Sequence, residues 1–256
     1  MEYLLTLRDA ARGTLRAPGF AMLAIGVLAL GIGAATLMFS LVNAVLISDL
    51  PFASPEPLVW MYKLRSERDR APLSIADFED YRQQASTLAG LSPFTNWTAN
   101  LTGVGTSERL EGVRVAGNFF DLIGVRPMMG RTLRPDDEAT DARVAVVSYG
   151  LWMRRFGGLT DVIGKDVALN GATFTIVGVL PPRFLFPFRN AEIAVPLTLR
   201  EDPRRTDRGA NFLRVVARLG PGVSLSQAKT DLDSIAGRLR ESYPTENARK
   251  IGISLY

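Results

Sequence analysis

The sequence predicts an α+β protein: one N-terminal transmembrane helix, then an extracytoplasmic core in which a split βαβ layer carries an inserted strand-rich subdomain. Three observations predict it. Phe20 to Ile47 contains no charged residue. A strand–helix pattern begins at Leu58, and a second of the same kind recurs near the C-terminus. Between the two lie short alternating apolar runs separated by turn residues.

The bounds set by composition agree with this class. A chain of 256 residues makes one large domain or two small ones. With 47% hydrophobic and 22% charged residues it is neither disordered nor of low complexity. The net charge is +4, but Lys and Arg are scattered among nearly as many acidic residues, so a nucleic-acid surface is not expected. The sequence has no cysteine and no histidine, which excludes disulfides, thiolate nucleophiles and Cys- or His-based metal sites.

The first element is the uncharged run, 20–47, longer than the roughly 18 residues that mark a transmembrane helix. The leader 1–19 carries Arg8, Arg12 and Arg16, whereas Asp49 and Glu56 follow the run and the next cation is Lys63. The positive-inside rule therefore puts the N-terminus in the cytoplasm and residues 48–256 outside. A cleaved signal peptide is the competing reading, with Val42-Asn43-Ala44 as a permissible site. Its apolar core is normally only about 7–15 residues. In the leader, Leu4, Leu7, Ala11 and Leu15 share a helical face beside the arginines, the pattern of an interfacial helix, and Pro18-Gly19 should break it.

Within the run, Gly26, Ala29, Gly33, Thr36, Ser40 and Asn43 recur at spacings of three and four, forming one narrow stripe. Small residues let a second helix approach, and hydroxyl or amide groups can bond across the contact. Leu23, Leu28, Leu30, Leu37 and Leu41 suit lipid. The stripe is the expected helix–helix seam, although a chance run of small residues would look the same.

Beyond the span, "SDLPFASPEP" is an extended linker and "LVWMYKL" (Leu58 to Leu64) a strand. Ser74 starts a helix, with Asp77 three residues on and Ile75, Phe78, Tyr81, Ala85 and Leu88 as its buried stripe. Near the C-terminus "NFLRVVARL" is a strand, and Ser224 with Gln227 makes a capping box. The helix that follows should bury Leu225, Ala228, Leu232, Ile235 and Leu239, end before Pro244, and lead to a last strand, "IGISL". Two such units predict a ferredoxin-like layer. The middle reads as strands and turns: "LEGVRVAG", "VAVVSY" and "VALNGATFTIVGVLPP", with Asn170-Gly171 as a hairpin turn.

Chemistry is sparse, and the chain reads as no enzyme. The phosphate-cradling pattern G-x-x-x-x-G-K-[ST] is absent; "GLTDVIGKD" has one residue too many and ends in Asp166. "GVGTS" (Gly103 to Ser107) reads as a turn, and Asp136-Asp137-Glu138 as a solvated acidic loop. The sequons at Asn96 and Asn100 fall in two strand-like turns and matter only in a eukaryotic secretory route. No catalytic, metal or cofactor-binding residue is expected.

Several stretches carry a family resemblance: "LALGIGAATLMFSLVNAVL" after its basic leader, "VRVAGNFFDLIGVRPMMGRTL" (Val113 to Leu133), "VVSYGLWMRRFGG" (Val146 to Gly158), "VIGKDVALNGATFTIVGVLPPRF" and "VVARLGPGVSLSQAKTDLDSIAGRL". Together they resemble MacB/FtsX-like ABC transporter permeases, in particular the acidobacterial-type orphan permeases. The resemblance implies a periplasmic core of two subdomains, a porter-like layer over 57–116 and 210–256 and a Sabre-like insert over about 117–209. It also implies mechanotransmission, in which ATP hydrolysis by a cytoplasmic ABC ATPase moves the helices and these move the periplasmic domain. Implied partners are membrane lipid, further permease spans or a second permease copy, that ATPase, and a periplasmic protein. The family continues with three more spans, so the sequence is expected to be an N-terminal fragment or truncated reading frame. A single-pass envelope protein with a binding or scaffolding module is the alternative.

Overall fold

The computed structural model describes residues 18–42, 57–66, 68–182, 184, 190–247 and 250–256. The chain divides into two units, Met1–Leu50 and Pro51–Tyr256.

In the smaller unit one helix, α1, runs for 25 residues from Pro18 to Val42. It begins at Pro18, where the sequence predicted a boundary between leader and span, and the leader itself lies outside the described residues. Proline costs nothing in a first turn, where its missing N–H would have no partner in any case. Counted over described side chains, no helix is long and apolar enough to cross a membrane. In α1 those side chains run unbroken only from Ile25 to Phe39. Residues 43–47 also lie outside the described residues.

The larger unit begins with β1 (Leu58–Leu64), whose alternate residues Val59, Met61 and Lys63 are buried. A short β2 (Arg70–Ala71) leads to α2 (Ile75–Gln84). Ser74 caps α2, its hydroxyl accepting the Asp77 N–H at 3.2 Å, and Ile75, Phe78 and Tyr81 are buried as the spacing predicts. Ala85 and Leu88 pack on the same core from beyond the helix end. Next comes β3 (Leu88–Thr102), a strand of 15 residues, which turns through Gly103 and Gly105 at positive φ into β4 (Glu108–Val115). Asn96 and Asn100 therefore sit on one continuous strand rather than in turns.

The middle, expected to be mostly strands and turns, also contains helix. Three short helices interrupt it: α3 (Phe119–Ile123), α4 (Pro135–Ala139) and α5 (Tyr149–Phe156). At five to eight residues they are too brief to show a helical period. The acidic run Asp136-Asp137-Glu138 fills the first turn of α4, where carboxylates meet the positive end of the helix, and Asp137 is buried rather than solvated. Strands β5 (Met129–Gly130), β6 (Val144–Val147), β7 (Asp166–Leu169), β8 (Ala172–Val179) and β9 (Ile193–Pro196) complete this part. Asn170 and Gly171 join β7 to β8 with φ of 51° and 81°, the two positive values a type I′ hairpin needs.

The chain closes with β10 (Arg214–Leu219), α6 (Leu225–Ser242), α7 (Pro244–Asn247) and β11 (Gly252–Leu255). Ser224 and Gln227 make the predicted capping box. Leu225, expected inside, is 46% exposed, because the first helical position turns away from the sheet.

Among the described residues the strands form one sheet in the order β11-β1-β10-β3-β4-β9-β6-β8-β5, with β2 on β1 and β7 between β3 and β8. Its first four strands pair antiparallel throughout. Helices α2 and α6 cover one face there, closing a core of Met61, Phe78, Val215, Leu232 and Ile235. A second core, with Leu110, Trp152 and Ile176, lies among the middle strands. A third, with Phe94, Phe119 and Phe120, packs under α3.

Candidate functional site

On α1 the structure carries Gly26, Ala29, Gly33 and Thr36 of the expected seam, and all four are exposed. A Cβ built on Gly26 or Gly33 meets nothing within 4 Å. The Thr36 hydroxyl donates to the Ile32 carbonyl at 2.7 Å, so its hydrogen is satisfied within the helix while its oxygen remains an acceptor. The lipid-suited faces are equally open: Leu23, Leu28, Leu30 and Leu37 are all more than 60% exposed. The Ser40 side chain, Asn43, Arg8, Arg12 and Arg16 lie outside the described residues.

The larger unit holds a charged centre that the sequence reasoning missed. Lys63 occupies a core-facing position of β1, and its Nζ donates to Asp77 Oδ2 at 2.7 Å. Lys250 Nζ reaches the same oxygen at 2.7 Å. Arg208 binds Asp77 Oδ1 at 2.9 Å and Asp80 at 2.7 Å, while its guanidinium stacks 3.6 Å over the Tyr243 ring. One carboxylate thus gathers β1, α2, the loop before β10 and the segment before β11. Burial alone would raise the Asp77 pKa, but Lys63 and Lys250 outweigh it and hold the carboxyl below its ordinary range. Burial lowers Lys63 to about 8, only partly opposed by Asp77 and reinforced by Lys250. The signal was present: a lysine in the inward register of a strand needs a buried anion. Asp77 was instead assigned to the helix cap, to which it lends its N–H and not its carboxylate.

Two more carboxylates of α6 fix the layer. Asp231 Oδ2 accepts the N–H and hydroxyl of both Ser86 and Thr87, and its pKa is lowered, those bonds outweighing burial. Asp233 accepts the outward N–H of Ile253 at 2.8 Å. The two ends of the unit meet: the Trp60 N–H donates to the Tyr256 carbonyl at 2.8 Å and receives one back at 3.3 Å. Between β5 and β6, Asp137 takes a two-pronged bond from Arg131 and caps α4 through the Arg134 N–H.

None of these clusters has the form of a reaction centre. Each carboxylate is committed to a cation or a backbone donor. No group of three potential ligand residues gathers in a metal-binding arrangement among the described residues. The arrangement holds strands and helices in fixed relation.

No curated protein matches the chain. Among solved structures, the periplasmic region of MacB from Actinobacillus actinomycetemcomitans matches at a TM-score of 0.57 and 18% identity, over 80% of this chain and 90% of that one. The extracellular domain of the noncanonic ABC-type transporter YknZ from Gram-positive bacteria matches at 0.57 and 16% identity, over 78% and 100%. A domain from Porphyromonas gingivalis matches at 0.62 and 19% identity, over 80% and 92%. These likenesses establish the shared fold. The model of the MacB-like periplasmic core domain matches residues 21–235, from inside α1 to well into α6, and the chain belongs to that family.

Proposed function

We propose that the chain is the N-terminal part of an ABC transporter permease subunit, an export or efflux-like component rather than an enzyme. The observation that carries this is the family match over residues 21–235, which takes in most of α1 together with the larger unit as far as α6. In this reading α1 spans the inner membrane with its N-terminus cytoplasmic. Its 25 residues would measure ~37 Å, more than a hydrocarbon core of about 30 Å. Arg8, Arg12 and Arg16 set the orientation. The stripe Gly26, Ala29, Gly33, Thr36, Ser40 and Asn43 is the face for another permease span or a second copy.

The larger unit is periplasmic, a porter-like split βαβ layer with an insert over about 117–209. The order β11-β1-β10-β3 with two helices on one face supports that division. Its role is mechanical: ATP hydrolysis by a separate cytoplasmic subunit moves the spans, and the periplasmic unit moves with them. A periplasmic partner protein would receive that motion.

A reporter enzyme active only in the periplasm, fused after Tyr256, tests the orientation and should be active. Activity of a cytoplasm-only reporter at that point would overturn it. Purification from native membranes tests the assembly, with an ABC ATPase subunit expected to accompany the chain. Its absence from an otherwise intact membrane complex would leave the alternative, a single-pass binding module.

A further inference from the structure

A groove crosses the larger unit where α2, β3, α4 and the loop after β9 come together. Its volume is about 440 Å3, within the range of small-ligand sites, and it adjoins a second hollow of about 370 Å3 across Glu138, Leu199 and Arg200. The floor is apolar and buried: Phe78, Leu91, Pro93, Ala116 and Leu199. The rim is charged and unevenly satisfied. Glu79 is paired with Arg205 at 3.2 Å, and Glu138 accepts the Gly117 N–H at 2.9 Å. Arg82 and Arg200 line the same groove, are exposed, and form no ion pair among the described residues. Arg82 lies over the Phe78 ring, 5.6 Å from its centroid.

We infer that this groove binds a small amphiphilic anion, its apolar body on Phe78, Leu91 and Leu199 and its carboxylate or phosphate between Arg82 and Arg200. Arg82, Arg200 and Arg205 outnumber Glu79 and Glu138 in the groove's lining, and Arg205 is spent on Glu79, so the charge left to complement is positive. Arginine is suited to the partner because its planar fork binds carboxylate and phosphate in parallel bonds. A neutral or cationic amphiphile of the same size would gain the floor but not the rim. The walls also differ in origin: Phe78 belongs to the helical layer, Pro135 and Glu138 to the insert. A bound molecule would therefore touch both.

The absence of native cysteine makes the test direct. Ala139, exposed beside the groove, is changed to Cys and labelled with bimane in the full chain, held in phosphatidylcholine nanodiscs. Octanoate should shift the bimane emission saturably, and octylamine should not. Arg82→Gln with Arg200→Gln should raise the half-saturating octanoate concentration about tenfold or more, since charge-assisted bonds are lost. The double variant's thermal transition should match the parent's, because both arginines are exposed and unpaired. An equal response to octylamine, an unchanged octanoate curve in the double variant, or no saturable response would each overturn the inference.

Discussion

Lys63 Nζ lies 2.7 Å from Asp77 Oδ2, with both side chains only 3% exposed. Breaking that pair strands a cation in the core. Asp77→Ala should destabilise the chain by about 3–5 kcal/mol, the range for an orphaned buried charge. Denaturant unfolding followed by circular dichroism would check it, and a loss near that of an exposed pair would refute the burial argument.

The same pair sets a pH dependence with a definite sign. Asp77 is held below its ordinary value, so its contribution is complete above about pH 3.9 and disappears as pH falls through its lower native value. Lys63 is lowered from 10.5 to about 8, so between those values the unfolded chain keeps a proton that the folded chain has released. Stability should therefore rise with pH from about 8 to 10, and Lys63→Met should flatten that rise. Unfolding curves at half-unit pH intervals would show it. An identical slope in both proteins would assign the effect elsewhere.

Asn170 both turns a hairpin and anchors it. Its side-chain carbonyl accepts the Asn100 N–H at 2.9 Å, and its amide donates to the Thr98 carbonyl at 3.2 Å. Asn170→Gly keeps the positive φ and loses only those bonds. Asn170→Ala loses both, and should be less stable than the glycine variant by about 1 kcal/mol. Equal stabilities would mean that backbone conformation matters little at this turn.

A methyl group at Gly178 would collide with the Arg131 carbonyl of the neighbouring segment. Gly178→Ala should lower stability by about 1–3 kcal/mol or more through forced displacement of the β5–β8 pairing. Gly237→Ala, in α6 with nothing within 4 Å, should by contrast be neutral or stabilising. Thermal melts of the two variants side by side would decide it.

On α1 the proposed seam makes a positional forecast. Gly33→Leu should reduce recovery of partner spans in crosslinking from native membranes, because the bulk falls at the closest approach. Ala35→Leu, off the stripe, should do much less. Equal losses would reduce the stripe to composition.

The elements that were legible in advance share a property: their signal is local. Leu58 to Leu64 alternates, Ser224 and Gln227 stand three apart, and Asn170-Gly171 is a turn in any context. Each appears where the spacing placed it. What was not legible depends on distant residues. The ion centre joins Lys63, Asp77, Arg208 and Lys250, scattered over nearly the whole larger unit, and only the fold brings them together. Asp137 shows the same limit: the acidic run hid a half-buried bond to Arg131 that composition could not reveal. The groove was invisible for a like reason, since Arg82 and Arg200 share a rim only after α2 and the loop beyond β9 converge.

The exchange of bonds between Trp60 and Tyr256 has a mechanical meaning. Strands β1 and β11 run antiparallel, so the start of one and the finish of the other leave the sheet at the same end. A load drawing these two ends apart peels the ladder open rung by rung, beginning at that bonded pair. A load moving them together leaves the rungs between them unstressed and passes sideways, in shear, into the pairing of β1 with β10 and, through Asp233, into α6. The joint is thus stiff to a common stroke and compliant to an opposed one.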